Sequence, residues 1–173
     1  MVEKIKYKII KEDDDFEIRK YPELILATVE KYSDNKAFGL LFNYISGENK
    51  AQEKISMAAP VISSKKIEMT SPVLSNDNFF AFVMPSKFSK DSIPVPLNSN
   101  VKIKFEPGKK LAVKKFSGYP SDKKIKKYKE KLYKELNKND IKIKGEIILM
   151  RYNSPFSLPF LRRNEIGVEI EYD

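Results

Sequence analysis

The chain has 173 residues, 41% of them hydrophobic, with 11 Phe and 9 Tyr, enough apolar surface for one core in a single domain spanning residues 1–173. It contains no cysteine and no histidine, which excludes disulfides, thiolate metal sites, thiol nucleophiles, imidazole bases and imidazole ligands to iron. The net charge of +9 comes from 33 basic residues of which only Arg19, Arg151, Arg162 and Arg163 are arginine, so a lysine-rich solvated surface is expected rather than a specific nucleic-acid reader.

The first eleven residues alternate in charge and lack the apolar core of a signal peptide, and no run approaches the length of a membrane span. A soluble, cytoplasmic protein is the expectation. Strand signals cover residues 5–10, 16–21 and 24–32. From Asp34 onward Phe38, Leu41, Tyr44 and Ile45 share one helical face, and Gly47 stands where a helix C-terminus belongs. Ile55 and Met57 mark a short strand, followed by strand candidates at 79–84, 101–106 and 111–116. In the second of these Val101, Ile103 and Phe105 alternate with Lys102, Lys104 and Glu106, the pattern of a half-buried strand.

A second helix is predicted where Ile125, Tyr128, Leu132 and Leu136 recur at spacings of three and four, with Ser121 or Asp122 as N-cap. Lys123 to Lys138 carries eight lysines, read as a solvated face with a polyanion patch as the alternative. Residues 146–152 and the alternating run Ile166, Val168, Ile170 and Tyr172 supply the last strands. Extending that final strand backwards puts Arg162 and Asn164 in phase with its buried side.

Two proline-punctuated stretches, 85–98 and 153–163, follow neither period. The second holds Phe156, Leu158, Phe160 and Leu161, too apolar for an idle loop. Either it packs onto the core or it lines a ligand or partner surface, so a protein partner could be met through Pro155–Leu161.

The two helices have similar surroundings. Each is preceded by an apolar strand and followed by a short strand with an Ile and a Met, Ile55/Met57 and Ile148/Met150. This is the pattern of a degenerate duplication, an α+β fold in which two strand-helix-strand-strand units build an antiparallel sheet bearing two helices.

Two copies of one short pattern, Lys54-Ile55-Ser56-Met57-Ala58-Ala59-Pro60-Val61 and Lys66-Ile67-Glu68-Met69-Thr70-Ser71-Pro72-Val73, flank a turn. They resemble the signature of the SOUL/heme-binding protein family. Phe16–Tyr21, Tyr44–Asn49, Phe82–Ser86, Phe116–Gly118 and Arg162–Ile166 resemble further family blocks in the same order. The resemblance implies duplicated βαββ units forming a distorted antiparallel β-barrel or curved sheet with two α-helices, akin to effector-binding domains of the gyrase-inhibitor type. It also implies non-enzymatic binding of heme, a related porphyrin or another planar amphipathic carboxylate in an apolar groove beside the first helix. Phe38, Leu41, Phe42, Ile45, Met57 and Met69 are the candidate groove wall, with Lys54, Arg162 and Arg163 as candidate propionate partners. Core packing is the competing role for the apolar set. The family's axial histidine, where members use one, has no counterpart here. The alternatives are a protein-interaction module and an effector-binding domain for another hydrophobic small molecule. Without His or Cys, and with no acidic pair at motif spacing, no enzymatic activity is expected.

Overall fold

A computed structural model describes residues 2–51, 64–153 and 156–173. Strands β1 (Glu3–Lys4), β2 (Lys8–Glu12), β3 (Glu17–Tyr21) and β4 (Leu24–Glu30) precede helix α1 (Asp34–Ser46). Then follow β5 (Asn49–Lys50), β6 (Thr70–Ser71), β7 (Val73–Ser75), β8 (Phe79–Val83), β9 (Val95–Pro96), β10 (Lys102–Glu106) and β11 (Lys109–Ser117). Helix α2 (Asp122–Lys138), β12 (Lys142–Ile143), β13 (Ile148–Arg151), a 3-10 turn at Pro159–Leu161 and β14 (Arg163–Glu171) complete the described chain.

The main sheet is antiparallel, in the order β10-β4-β8-β7-β13-β14-β11-β3-β2, with β12 paired to β14. Its centre is the β7–β13 pair. Outward from there, β8 and β4 on one side match β14 and β11 on the other, so β4-α1-β7-β8 and β11-α2-β13-β14 are the two copies of the duplicated unit. The leading strands are exchanged: β3 runs into β4 but pairs with β11, and β10 runs into β11 but pairs with β4.

That exchange forces the sheet to curl. β3 and β4 are six strand spacings apart in the sheet, roughly 29 Å if it were flat. Yet they are joined only by Pro22 and Glu23, a connection that reaches about 11 Å at most. The symmetric link, Pro107-Gly108, imposes the same closure, and the two links cross closely: a Cβ on Gly108 would lie 3.0 Å from the Tyr21 carbonyl oxygen. The result is a strongly curled antiparallel half-barrel.

On the outer face each unit packs its own helix. Ala37, Leu41, Tyr44 and Ile45 of α1 bury against Ala27, Val29, Phe80 and Phe82. Leu132 and Leu136 of α2 bury against Ile18, Ala112, Phe116, Ile166 and Val168, and Tyr128 stacks on Phe116 at 4.8 Å. On the inner face the halves share one cluster, with Tyr21, Leu26, Leu74, Ala81, Val83, Leu111, Val113 and Met150 at its core. The 85–98 stretch is tied down by the Tyr44 hydroxyl, which donates to the Pro94 carbonyl at 2.7 Å, and by pairing of β9 with β5.

Both helices fall where the periodicity predicts them, and Gly47 ends α1 with φ 132°. The strand expected over 5–10 is broken: Ile5 packs against the inner cluster, while Ile9 and Ile10 are exposed beside a bulge in edge strand β2. The second copy of the signature is strand only at Thr70–Ser71 and from Val73. The strand expected at Ile55/Met57 lies outside the described residues. Asn164 is buried, as its register predicts, and its side chain donates to the Gly118 carbonyl at 2.7 Å. Arg162 departs from that register because β14 begins one residue later. The 3-10 turn ahead of it redirects the chain, and its guanidinium sits over the Tyr119 ring at 4.2 Å.

Candidate functional site

Phe38 and Phe42 stand one turn apart on α1, a spacing that stacks side chains along a helix. Their rings are parallel to within 13° at 6.0 Å, and Phe38 meets Phe82 of the sheet edge-on at 5.4 Å. Phe82 in turn approaches Phe80 at 6.3 Å. The ladder runs from solvent to core: Phe42 is 48% exposed, Phe38 is partly buried, and Leu41 and Ile45 turn inward and are fully covered by the sheet. Met69 and Val73 pack, partly exposed, against the same cluster. Lys54 and Met57 lie outside the described residues.

Arg151 borders this wall. It lies opposite Val73 in the β7–β13 pairing, and its guanidinium is 5.8 Å from the Phe80 ring centroid. It donates to the Ser75 hydroxyl at 3.1 Å and to the Asp34 carboxylate at 2.7 Å, and Asp34 is exposed. An exposed pair of this kind is worth about 0–1 kcal/mol, so a ligand carboxylate can compete for the guanidinium. Apart from its chain neighbours and the helix's own backbone, no described atom comes within 4 Å of where a Cβ on Gly39, between Phe38 and Phe42 in the chain, would sit. A stacked, partly exposed aromatic pair, a fork-shaped cation at its border and a helix glycine without a side chain together suit a planar ligand that carries a carboxylate.

The predicted cations among the described residues, Arg162 and Arg163, lie elsewhere. Arg162 stacks on Tyr119 and donates from Nε to the Ser157 carbonyl at 2.8 Å. Arg163 turns to the inner face of the sheet, opposite α1, where Glu165 binds it at 2.7 Å and the Tyr7 hydroxyl at 3.0 Å.

That inner face holds a buried ionic cluster. Arg19 is 0% exposed and grips Glu165 through two bonds, Nη1–Oε2 at 2.7 Å and Nη2–Oε1 at 3.0 Å. Its Nε donates to Glu17 at 2.7 Å and its Nη1 to the Tyr21 hydroxyl at 3.0 Å, while Tyr7 covers it at 4.2 Å. Glu17 also binds Lys115. Burial pushes the Glu165 carboxyl up, but hydrogen bonds and charge from Arg19 and Arg163 outweigh it and hold the group below its ordinary range. Burial raises the Tyr21 phenol to about 12 despite Arg19, and burial beside Glu165 raises Tyr152 further still. The Tyr152 hydroxyl is buried with no hydrogen-bond partner among the described residues.

Each charge in this cluster is answered from within, which is the arrangement of a structural network. Beside it lies a cavity of about 100 Å³ lined mainly by Tyr21, Leu26, Leu74, Phe79, Leu111 and Met150. Ligand pockets for drug-sized molecules run to roughly 300–1,000 Å³, so this one is too small for a macrocycle. Among the described residues no group of three or more acidic side chains is placed to hold a metal ion.

Sequence reasoning missed Arg151 and the Arg19–Glu165 pair. A signal existed: a chain that uses lysine almost everywhere spends arginine at four positions, and all four engage specific partners.

A family model described as SOUL heme-binding protein matches residues 2–169. The chain belongs to that family. The duplicated α+β half-barrel of this SOUL protein also resembles solved structures. A hydrolase from Listeria innocua aligns with a TM-score of 0.58 at 13% identity over 94% of both chains. An uncharacterized conserved protein from Listeria innocua aligns at 0.56 and 10% identity over 98% of this chain and 93% of that one. The EcmrR C-terminal domain aligns at 0.53 and 12% identity over 95% and 98% of the two chains. At these identities the likeness is one of fold alone. Comparison with curated proteins finds no match. No helix among the described residues is long and apolar enough to cross a membrane.

Proposed function

We propose that this SOUL-family protein binds heme or a related tetrapyrrole non-enzymatically on the outer face beside α1, with the macrocycle against Phe38 and Phe42 and a propionate on Arg151. The observation that carries the reading is the half-exposed aromatic ladder from Phe42 to Phe82 with Arg151 at its border. Apolar rings facing solvent favour a flat partner, and the guanidinium fork matches a carboxylate.

The residues fit the macrocycle better than they fit its iron. With neither His nor Cys, axial donation falls to methionine or tyrosine; among the described residues Met84 is buried within this cluster and Met69 packs against it, partly exposed. Affinity is therefore expected to come from the ring and the propionates. Arg163 is the less favoured propionate partner because Glu165 already engages it.

Titration of the apoprotein with hemin and, in parallel, with metal-free protoporphyrin tests this reading. Similar affinities at one-to-one stoichiometry are expected, weakened about tenfold or more by Phe42→Ala or Arg151→Gln in proteins that keep their melting temperature. Binding of hemin alone with a shifted Soret band would instead place a methionine or tyrosine on iron. No saturable binding of either would remove tetrapyrroles from the function.

One observation favours a second reading, an effector domain for a smaller hydrophobic molecule: the partly open apolar cavity of about 100 Å³ on the inner face. Leu111→Phe, which narrows that cavity, separates the readings, since it should leave porphyrin affinity unchanged.

A further inference from the structure

The β13–β14 connection carries the most exposed apolar surface of the described chain. Phe156 is 96% exposed, Leu158 55%, Phe160 71% and Leu161 63%, with Tyr119 beside them at 58%. The 3-10 turn at Pro159–Leu161 holds the tip in shape, and the Arg162 guanidinium, over Tyr119 and bonded to the Ser157 carbonyl, fixes it against the turn that leads into α2. The first turns of α2 then bring Lys123, Lys126 and Lys127 to the surface, and Lys124 bonds the Ser117 carbonyl at 2.6 Å. Between Asn153 and Arg163 there is no acidic residue, and α2 sets eight lysines against Asp122, Glu130 and Glu135.

We infer that this tip and the adjoining lysine face of α2 form a docking surface for an anionic lipid bilayer. Phe and Leu side chains on a loop tip enter the headgroup–acyl boundary, and lysines around them meet anionic headgroups. Lysine distinguishes this occupant from a protein. Protein interfaces are depleted in lysine, which is strongly hydrated and costly to fix, whereas a bilayer surface leaves the ammonium groups in water. A second copy presenting the same patch would be repelled by its own charge.

The test is co-sedimentation with phosphatidylcholine vesicles and with vesicles containing 30 mol% phosphatidylserine, with low salt and with 0.5 M salt added. Binding to the anionic vesicles only, lost in high salt, is expected. Leu158→Asp/Phe160→Asp should lower the partition coefficient about tenfold or more, and Lys123→Glu/Lys127→Glu should do likewise. Because the chain has no cysteine, an environment-sensitive dye on Leu161→Cys gives an independent readout: its emission should shift to the blue on anionic vesicles. Equal binding to both vesicle types, no binding to either, or an unshifted dye would overturn the inference. So would a wild-type dimer made monomeric by the Asp substitutions, which would assign the patch to a second copy.

Discussion

Arg19 and Glu165 are both fully buried and face each other through two charge-assisted bonds across strands 146 positions apart in sequence. Replacing Arg19 by Met keeps the volume but leaves Glu165 with Arg163 alone and deprives Glu17 and the Tyr21 hydroxyl of a donor. Replacing Glu165 by Leu leaves a guanidinium buried with only Glu17 to answer it. Breaking a buried pair in this way costs about 3–5 kcal/mol, because the remaining charge stays desolvated. For a chain of this length each kcal/mol lowers the melting temperature by roughly 2–4 °C, so each single variant should melt about 6–20 °C below wild type. The double variant removes both charges, leaving as residual losses the Tyr21 hydroxyl without its donor, about 1–3 kcal/mol, and the part-exposed Arg163 without Glu165. Urea unfolding of all four proteins gives the cycle. The expected coupling is about 3 kcal/mol or more, with the double variant no less stable than either single one. Single-variant losses that add to within about 0.5 kcal/mol would refute the pairing.

The same cluster predicts an acid limb. Glu165 titrates below its unfolded value of roughly 4.3, so its contribution is complete above that pH and disappears as pH falls through the folded pKa. Urea midpoints between pH 3 and 7 should drop more steeply for wild type than for Arg19→Met/Glu165→Leu. Gly39→Ala fills a helix-interior glycine with open space around it and should stabilise the protein by about 0.4–1 kcal/mol in thermal melts. If the macrocycle lies on this helix as proposed, the same variant should weaken porphyrin binding. Gly47→Ala has room for its Cβ but must adopt φ 132°, so it should cost about 1 kcal/mol by the same assay. Leu132→Ala, on the buried face of α2, should cost about 2–5 kcal/mol by opening a cavity in the outer core.

Much of the fold was legible in the chain because it rests on local periodicity. The spacing of Phe38, Leu41, Tyr44 and Ile45 and of Ile125, Tyr128, Leu132 and Leu136 defined both helices, alternation defined the last strands, and the repeated environments exposed the duplication. The signature around Lys66–Val73 and the later blocks pointed to the family, and the lack of histidine bounded its iron chemistry before any coordinates. Sequence alone also placed Phe38 and Phe42 on the first helix, but not which of its side chains would remain exposed.

Tertiary structure decided the rest, because it turns on pairings between distant segments. The exchange of β3 and β10 between the halves, which curls the sheet, leaves no trace in local pattern. Arg151 meets Asp34 across 117 positions, and Arg19 meets Glu165 across 146. Arg162 and Arg163, neighbours in the chain, are sent to different surroundings by a 3-10 turn that ends between them and the loop. Residue type determined that arginine would be used where a directed fork was needed. Only the packing of one strand against another determined what each fork would hold.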